Sequence, residues 1–117
     1  IERAESRTRH NTRFNLQVAF NYGGRADIVD AARRFAAEVA AGRVDPAALT
    51  DDGFGAYLST ASAPPVDLIV RTSGERRLSN FLLWDAAYAE FVFQDVLWPD
   101  YGEAELRAAL TEFAARD

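Results

Sequence analysis

Apolar residues recur along this chain with two different periods, and the change of period predicts its elements. In Phe14–Tyr22 they alternate with polar residues, which predicts a β-strand that ends at two glycines. From Arg25 the period becomes that of an amphipathic helix, which is predicted to end near Gly42. The inward face of this helix carries Ile28, Ala32, Phe35 and Val39.

Short connectors separate this helix from the next predicted strand. Asp45 and Pro46 open a short helical segment, and Thr50 to Asp52 are predicted to cap another one. Two prolines then lead into Val66–Val70, a continuous apolar run that predicts a strand buried on both faces.

The rest of the chain repeats the alternation of strand and helix. After a loop at 72–78, residues 79–88 are predicted to be helical, 91–93 to form a further buried strand, and 103–116 to form the last helix. This order predicts an α/β fold, a three-layer sandwich in which helices flank a mostly parallel sheet. About three strands would leave an apolar edge uncovered, so the chain is expected to be part of one domain whose remainder completes the sheet.

Composition narrows the classes of function. Arginine supplies all 13 basic residues, but the net charge of -5 opposes a general attraction to nucleic acid. The absence of cysteine excludes a disulfide framework, a thiolate metal site and a cysteine nucleophile. No apolar run approaches the roughly 20 residues of a spanning helix, so a cytoplasmic protein is expected, at most peripheral to a membrane.

The first candidate site is Asn21–Arg25, with the sequence NYGGR, where a predicted strand turns into a predicted helix. Ligands of open α/β sheets bind at the carboxyl ends of strands, and free amides at a helix start attract anions. Arg25 would lie beside such a site. The alternative is a turn that needs only the backbone freedom of glycine.

The second candidate site is Arg71–Asn80, with the sequence RTSGERRLSN, which directly follows a predicted strand. Its arginines can bind phosphate oxygens bidentately, its hydroxyls add neutral donors, and a helix starting near Ser79 would point its amides the same way. This composition suits a diphosphate. The alternative is a solvated loop whose arginines pair with Glu75 and other carboxylates.

Glu90 is a candidate metal ligand, since it directly precedes the predicted strand at 91–93. Magnesium prefers a few carboxylates together with substrate phosphates, and a glutamate at this position could supply one of them. The alternative is an exposed or salt-bridged side chain.

Three stretches of the chain resemble one known family. AFNYGGRADIV, DLIVRTSGERRLSNFLLWDAAYAEFVF and DVLWPD are similar, in order and in spacing, to the cis-prenyltransferases, also called the undecaprenyl diphosphate synthase family. The resemblance implies an enzyme that condenses isopentenyl diphosphate with an allylic diphosphate to form a cis-polyprenyl diphosphate. It also implies Mg²⁺ as cofactor and a homodimer.

The resemblance assigns the main roles to four residues. Arg71, Arg77 and Ser79 would bind the diphosphate of isopentenyl diphosphate, and Glu90 would help to hold the magnesium ion that bridges the substrates. These roles come from matching positions in the motifs, and they agree with the chemistry of the side chains.

The resemblance gives four further residues less defined roles. Glu75 and Arg76 would lie in the active-site loop, and Asn21 and Arg25 near the substrate cleft. The family's amino-terminal part, whose Asp-Gly-Asn-Gly-Arg-Trp motif binds the allylic diphosphate, has no counterpart here. The resemblance therefore implies the carboxyl-terminal portion of a single cis-prenyltransferase domain, without a catalytic residue and inactive alone.

Two other functions stay open at this point. Some enzymes of the family are heteromers, and this chain could belong to a non-catalytic partner subunit, although an intact RTSGERRLSN loop argues against it. A general phosphate-binding α/β module is the other alternative. Neither the product length nor the allylic primer follows from these residues.

Overall fold

A computed structural model gives the fold of the chain and describes residues 1–116. The helices are α1 (Glu2–Thr8), α2 (Gly24–Ala40), α3 (Asp51–Gly55) and α4 (Glu103–Ala114). The strands are β1 (Leu68–Arg71) and β2 (Glu90–Phe93). Short 3₁₀ helices lie at Pro46–Ala48, Asp85–Tyr88 and Trp98–Asp100.

The two strands form a parallel sheet, and the predicted α/β class is confirmed. Leu68 lies opposite Glu90 and Arg71 opposite Phe93, so both strands run in the same direction with their carboxyl ends at one edge. Helix α4 packs against β2, where Val92 is only 1% exposed. None of the helices within residues 1–116 has both the length and the apolar character to cross a bilayer.

The helix and cap predictions agree with the structure at several points. Helix α2 spans the predicted region and buries Ala31. The Thr50 hydroxyl accepts a hydrogen bond from the Gly53 amide (3.0 Å) and caps α3, while the Asp45 carboxylate accepts one from the Ala47 amide (3.0 Å). Each cap satisfies an amide that has no partner inside its own helix.

The predicted strand at Phe14–Tyr22 is wrong for this structure. The residues form no strand pairing within residues 1–116, and the sheet has two strands rather than about three. The four alternating side chains are exposed, among them Leu16 at 76% and Phe20 at 79%. A strand needs a neighbour to satisfy its backbone groups and to cover its apolar face, and the described residues supply none here.

The predicted helix at 79–88 is also wrong over most of its length. Ser79, Asn80 and Leu82 have positive φ angles of 50°, 67° and 49°, which no right-handed helix accommodates. Only the last four of these residues form a 3₁₀ helix. Strand β1, predicted to be buried on both faces, is half-buried along its length.

A buried carboxylate ties the start of α2 to the connector that precedes β1. Asp27 is 7% exposed, and its Oδ1 accepts a hydrogen bond from the Ser59 amide (3.0 Å). On the next residue of the connector, the Thr60 hydroxyl donates to Asp85 Oδ1 (2.9 Å). Burial raises the pKa of nearby Tyr22 above its ordinary value of 10.0, and the Asp27 and Asp85 carboxylates raise it further.

The exposure of the Phe14–Tyr22 segment predicts how substitutions act on the stability of this chain. Leu16→Ser should change the free energy of unfolding by less than about 0.5 kcal/mol, because the side chain has no core to leave. Val92→Ala should lower it by about 2 kcal/mol, because it opens a cavity beneath α4. Urea denaturation of the two variants measures both values, and equal losses would show that the segment packs into the core.

The environment of Tyr22 predicts a change at alkaline pH. Because its folded pKa lies above the unfolded one, the stability contributed by the neutral phenol is complete below the ordinary value of 10.0 and is lost as pH rises through the folded pKa. A phenolate absorbance titration in a Tyr101→Phe background, which removes the other phenol whose pKa burial raises, should show a late phase in which Tyr22 ionises above its ordinary value of 10.0.

Two variants check this assignment. Tyr22→Phe should abolish the late-ionising phase of the titration, and Asp27→Asn should move that phase to lower pH. Tyr88→Phe serves as the control, because it removes an exposed phenol and leaves Tyr22 in place. A late phase that survives Tyr22→Phe would contradict the assignment.

Candidate functional site

A cavity of about 410 Å³ lies beside β1 and β2, toward the edge where both strands end. One part of its wall is cationic and consists of Arg71, Arg76 and Arg77. The remainder is aliphatic and aromatic and consists of Ile69, Val70, Leu78, Phe81, Phe91 and Phe93. A cavity with these two walls suits a ligand that has an anionic head and a hydrocarbon part.

The position of Arg71 follows from the sheet. It is the last residue of β1, lies opposite Phe93 in the parallel register, and is half-buried. The loop that follows turns sharply, with φ of 65° at Ser73 and 69° at Gly74. The Ser73 amide donates to the Val96 carbonyl (2.8 Å), so the first part of the loop is held against the chain that leaves β2.

Arg76 and Arg77 differ in their contacts although they are adjacent. The Arg76 guanidinium lies over the Phe93 ring at 5.8 Å from its centroid, and this ring stacks on that of Phe91. Arg77 instead pairs with Glu75 at 3.0 Å, and its side chain is 71% exposed. The surface-loop alternative, in which an arginine pairs with Glu75, therefore describes Arg77 in this structure.

Arg71 also borders a second cavity of about 360 Å³. Its other lining residues include the polar Thr72, Ser73 and Glu75 together with Trp98. The half-buried arginine at the end of β1 thus lies between an apolar cavity and a more polar one.

Asn80 joins the two motifs that the sequence presents separately. Its side-chain Oδ1 accepts a hydrogen bond from the Arg25 amide (2.8 Å), and its carbonyl accepts one from the Gly24 amide (2.7 Å). The expectation of free amides at the start of α2 is therefore wrong for these two positions. Asparagine is a preferred cap, but this one lies 55 residues from the helix it caps, and no local pattern marks it.

The glycine pair permits this close approach. A Cβ on Gly24 would lie 2.8 Å from Leu83 Cγ and 3.0 Å from the Asn80 carbonyl oxygen. A Cβ on Gly23 would lie 3.0 Å from Asn80 Nδ2. The motif needs glycine here for space, because neither residue has a positive φ angle.

Four candidate binding residues lie outside the lining of the 410 Å³ cavity, and one of them, Glu75, lines the second cavity instead. Ser79 is exposed in a left-handed conformation directly before Asn80. Asn21 is exposed with φ of 55°, and the Arg25 side chain is exposed on the first turn of α2. The structure brings Arg71, Arg76 and Arg77 together at one cavity and places Ser79 on the adjoining part of the same loop.

Glu90 lies at the other end of the sheet. It opens β2 opposite Leu68, three residues before the edge that carries Arg71, or roughly 10 Å along the strand. Its carboxylate pairs with Arg116 at 3.2 Å, and Arg116 also donates to the Phe91 carbonyl (2.6 Å). The hydrogen bond to Glu112, and then that to Glu90, raise the pKa of Arg116 above its ordinary value.

The contacts of Glu90 affect whether this residue is available as a ligand for magnesium. No group of three or more histidine, cysteine, aspartate or glutamate side chains suited to a metal occurs within residues 1–116. Glu90 is paired with an arginine and remote from the cationic wall of the cavity. Among the described residues, the candidate ligand Glu90 is therefore bound to an arginine and does not line the 410 Å³ cavity.

Curated relatives align over the whole chain. The isoprenyl transferase of Caulobacter vibrioides is 67% identical over 117 residues, which cover 100% of this chain and 45% of that protein. The Thermobifida fusca trans,polycis-polyprenyl diphosphate synthase, specific for (2Z,6E)-farnesyl diphosphate, is 50% identical over 100% of this chain and 42% of its own length. The chain spans about half the length of the curated relatives it matches.

Solved structures show the same relationship. Lavandulyl diphosphate synthase from Lavandula x intermedia, crystallised with dimethylallyl diphosphate, superposes with a TM-score of 0.92 at 40% identity, over 100% of this chain and 50% of that one. A probable undecaprenyl diphosphate synthase from Campylobacter jejuni gives a TM-score of 0.75 at 30% identity, over 99% of this chain and 51% of that one.

The family relationship extends over the full sequence. The family model described as "Putative undecaprenyl diphosphate synthase" matches residues 1–117. This range includes the glycine motif at residues 21–25 and the arginine motif at residues 71–80. The resemblance inferred from those motifs is thereby confirmed. The chain belongs to the undecaprenyl diphosphate synthase family of prenyltransferases.

Proposed function

We propose that this chain supplies the isopentenyl diphosphate site of a cis-polyprenyl diphosphate synthase. The observation that carries the proposal is the 410 Å³ cavity, in which Arg71, Arg76 and Arg77 face the same space as aromatic and aliphatic side chains. The cations match a diphosphate, and the apolar wall matches a five-carbon isoprenoid unit. The curated relatives are named as isoprenyl transferases and polyprenyl diphosphate synthases, which supports this reaction.

Arg71 and Arg77 would have different roles in binding the diphosphate. Arg71 is half-buried at the end of β1 and lines both cavities, so it would form the fixed part of the site. Arg77 would exchange its partner Glu75 for a phosphate oxygen. This exchange would cost little free energy, because the exposed ion pair that is lost contributes only about 0 to 1 kcal/mol to stability.

The residues of this chain would promote the reaction by positioning isopentenyl diphosphate and by balancing the negative charge of its diphosphate. In the reaction, the carbon-oxygen bond of the allylic diphosphate breaks, the double bond of isopentenyl diphosphate attacks the allylic carbon, and one proton is lost from the attacking unit. The residues of this chain would hold isopentenyl diphosphate by its head, with its double bond toward the allylic carbon. Bound diphosphate charge would be balanced by guanidinium groups whose positions the sheet and loop have already set.

Three further features belong to the proposal for the whole protein. Residues 1–117 would be the carboxyl-terminal portion of one domain, the protein would be a homodimer, and it would be cytoplasmic, with at most peripheral contact to a membrane. Magnesium would require ligands beyond those that the described residues bring to the cavity. Glu90 would join them only after leaving Arg116.

Replacement of Arg77 tests the cationic wall in the complete protein. Arg77→Ala should raise the KM for isopentenyl diphosphate about tenfold, because a charged hydrogen bond to phosphate is worth about 1.5 to 3 kcal/mol and this exposed arginine belongs at the lower end. Steady-state kinetics with labelled isopentenyl diphosphate and farnesyl diphosphate measures the effect.

A matched exposed arginine provides the control. Arg33 on α2 is 77% exposed and pairs with Asp30, so Arg33→Ala removes a similar charge and ion pair away from the cavity. Its KM should remain within twofold of the original, by the usual small effect of surface substitutions of about 0.5 kcal/mol or less. Equal KM values in both variants would contradict the proposed site, and binding without turnover in the parent protein would point to the non-catalytic subunit.

The chain by itself should not catalyse the reaction. It spans about half the length of its relatives, and the described residues show a cavity for one diphosphate substrate but no assigned site for the allylic one. We expect no product from the purified 117-residue chain with isopentenyl and farnesyl diphosphates, whereas the complete protein should form it. Turnover by a preparation of the 117-residue chain shown by mass spectrometry to lack longer protein would disprove this.

A further inference from the structure

Asn80 contacts α2 in a way that an ordinary helix cap does not require. The N-cap position of α2 is Gly23, which has no side chain to accept a hydrogen bond. Asn80 supplies that acceptor from a distant loop, and its own carbonyl takes the preceding Gly24 amide. One residue thus satisfies two amides at the helix start that would otherwise lack a partner.

The same residue ends the loop that carries the candidate diphosphate ligands. The loop begins at Arg71, which β1 holds by pairing with β2, and its first turn is held by the Ser73 and Gly74 amides on the chain after β2. Arg77 and Ser79 lie in the second part of the loop. The hydrogen bonds of Asn80 with the start of α2 hold that part to the rest of the fold, together with the packing of the adjacent Phe81 on Tyr22.

The backbone conformation also depends on asparagine. Asn80 has φ of 67° and Ser79 has φ of 50°, in the left-handed region that asparagine tolerates better than most residues. A residue here must therefore accept a hydrogen bond at a short distance and tolerate a positive φ angle. Asparagine meets both requirements.

We infer that Asn80 is a positioning residue for the diphosphate site, which orients Arg77 and Ser79 by tying their loop to the start of α2. The inference rests on the proposed function and adds a residue that does not line the cavity. Losing the tie frees the loop and weakens substrate binding, and it leaves the charge of the site unchanged.

Asn80→Gly in the complete protein isolates the side-chain contact, because glycine retains the left-handed backbone. It should raise the KM for isopentenyl diphosphate about fivefold with kcat nearly unchanged, lower the melting temperature by a few degrees, and accelerate hydrogen exchange of the Arg25 amide. Asn11→Gly, at an exposed site in the leading segment, is the control and should change none of these.

A second variant separates positioning of the loop from simple capping of the helix. Gly23→Ser combined with Asn80→Gly gives α2 a local cap, and the space for the new Cβ, 3.0 Å from Asn80 Nδ2, is freed by the second substitution. The double variant should recover the melting temperature but keep the raised KM. An unchanged KM in Asn80→Gly, or recovery of KM together with stability in the double variant, would overturn the inference.

The proposed function has its own readout in the same experiment. A parent protein that does not condense isopentenyl diphosphate refutes the proposed function. The positioning role is then decided by the affinity for inorganic pyrophosphate, which Asn80→Gly and the double variant should both weaken about fivefold relative to the parent protein. Equal pyrophosphate affinities in all three proteins would overturn it.

Discussion

The two hydrogen bonds that Asn80 accepts from the start of α2 are the constraint on which the site depends. They join the glycine motif at residues 21–25 to the end of the arginine loop, although Arg25 and Asn80 are 55 residues apart in the sequence. Glycine at positions 23 and 24 leaves the space for this contact, and the left-handed backbone of the loop aims the asparagine at the helix. Because the other end of the loop is held by the sheet, the arginines between them face one cavity.

The electrostatics of the cavity are local and oppose those of the whole chain. The net charge is -5, yet Arg71, Arg76 and Arg77 share one wall, and only Arg77 among them has an ion-pair partner within residues 1–116. Arg76 lies on an aromatic ring instead, a contact that retains its charge for a ligand. In the proposed function, the guanidinium group on the ring and the one at the half-buried strand end would be held in position before a diphosphate binds.

Two other features of the structure differ from what the sequence predicts. The alternating side chains between Phe14 and Phe20 are exposed, although their pattern suits a strand with a covered face. Glu90 is paired with Arg116 at the end of the sheet opposite the cavity. The chain spans about half the length of the curated relatives it matches.

The sequence by itself determined the elements whose causes are local. The helical period and acidic first turn of α2, the caps Thr50 and Asp45, the α/β class and the two motifs follow from neighbouring residues, and so does the family. Only the tertiary structure decided that 14–22 has no strand partner within residues 1–116, that 79–84 forms turns, and that Glu90 faces Arg116. It also decided that Asn80 caps a helix 55 residues away. The physical reason is that strand pairing, left-handed turns and long-range caps depend on groups distant in sequence, which no local period or propensity records.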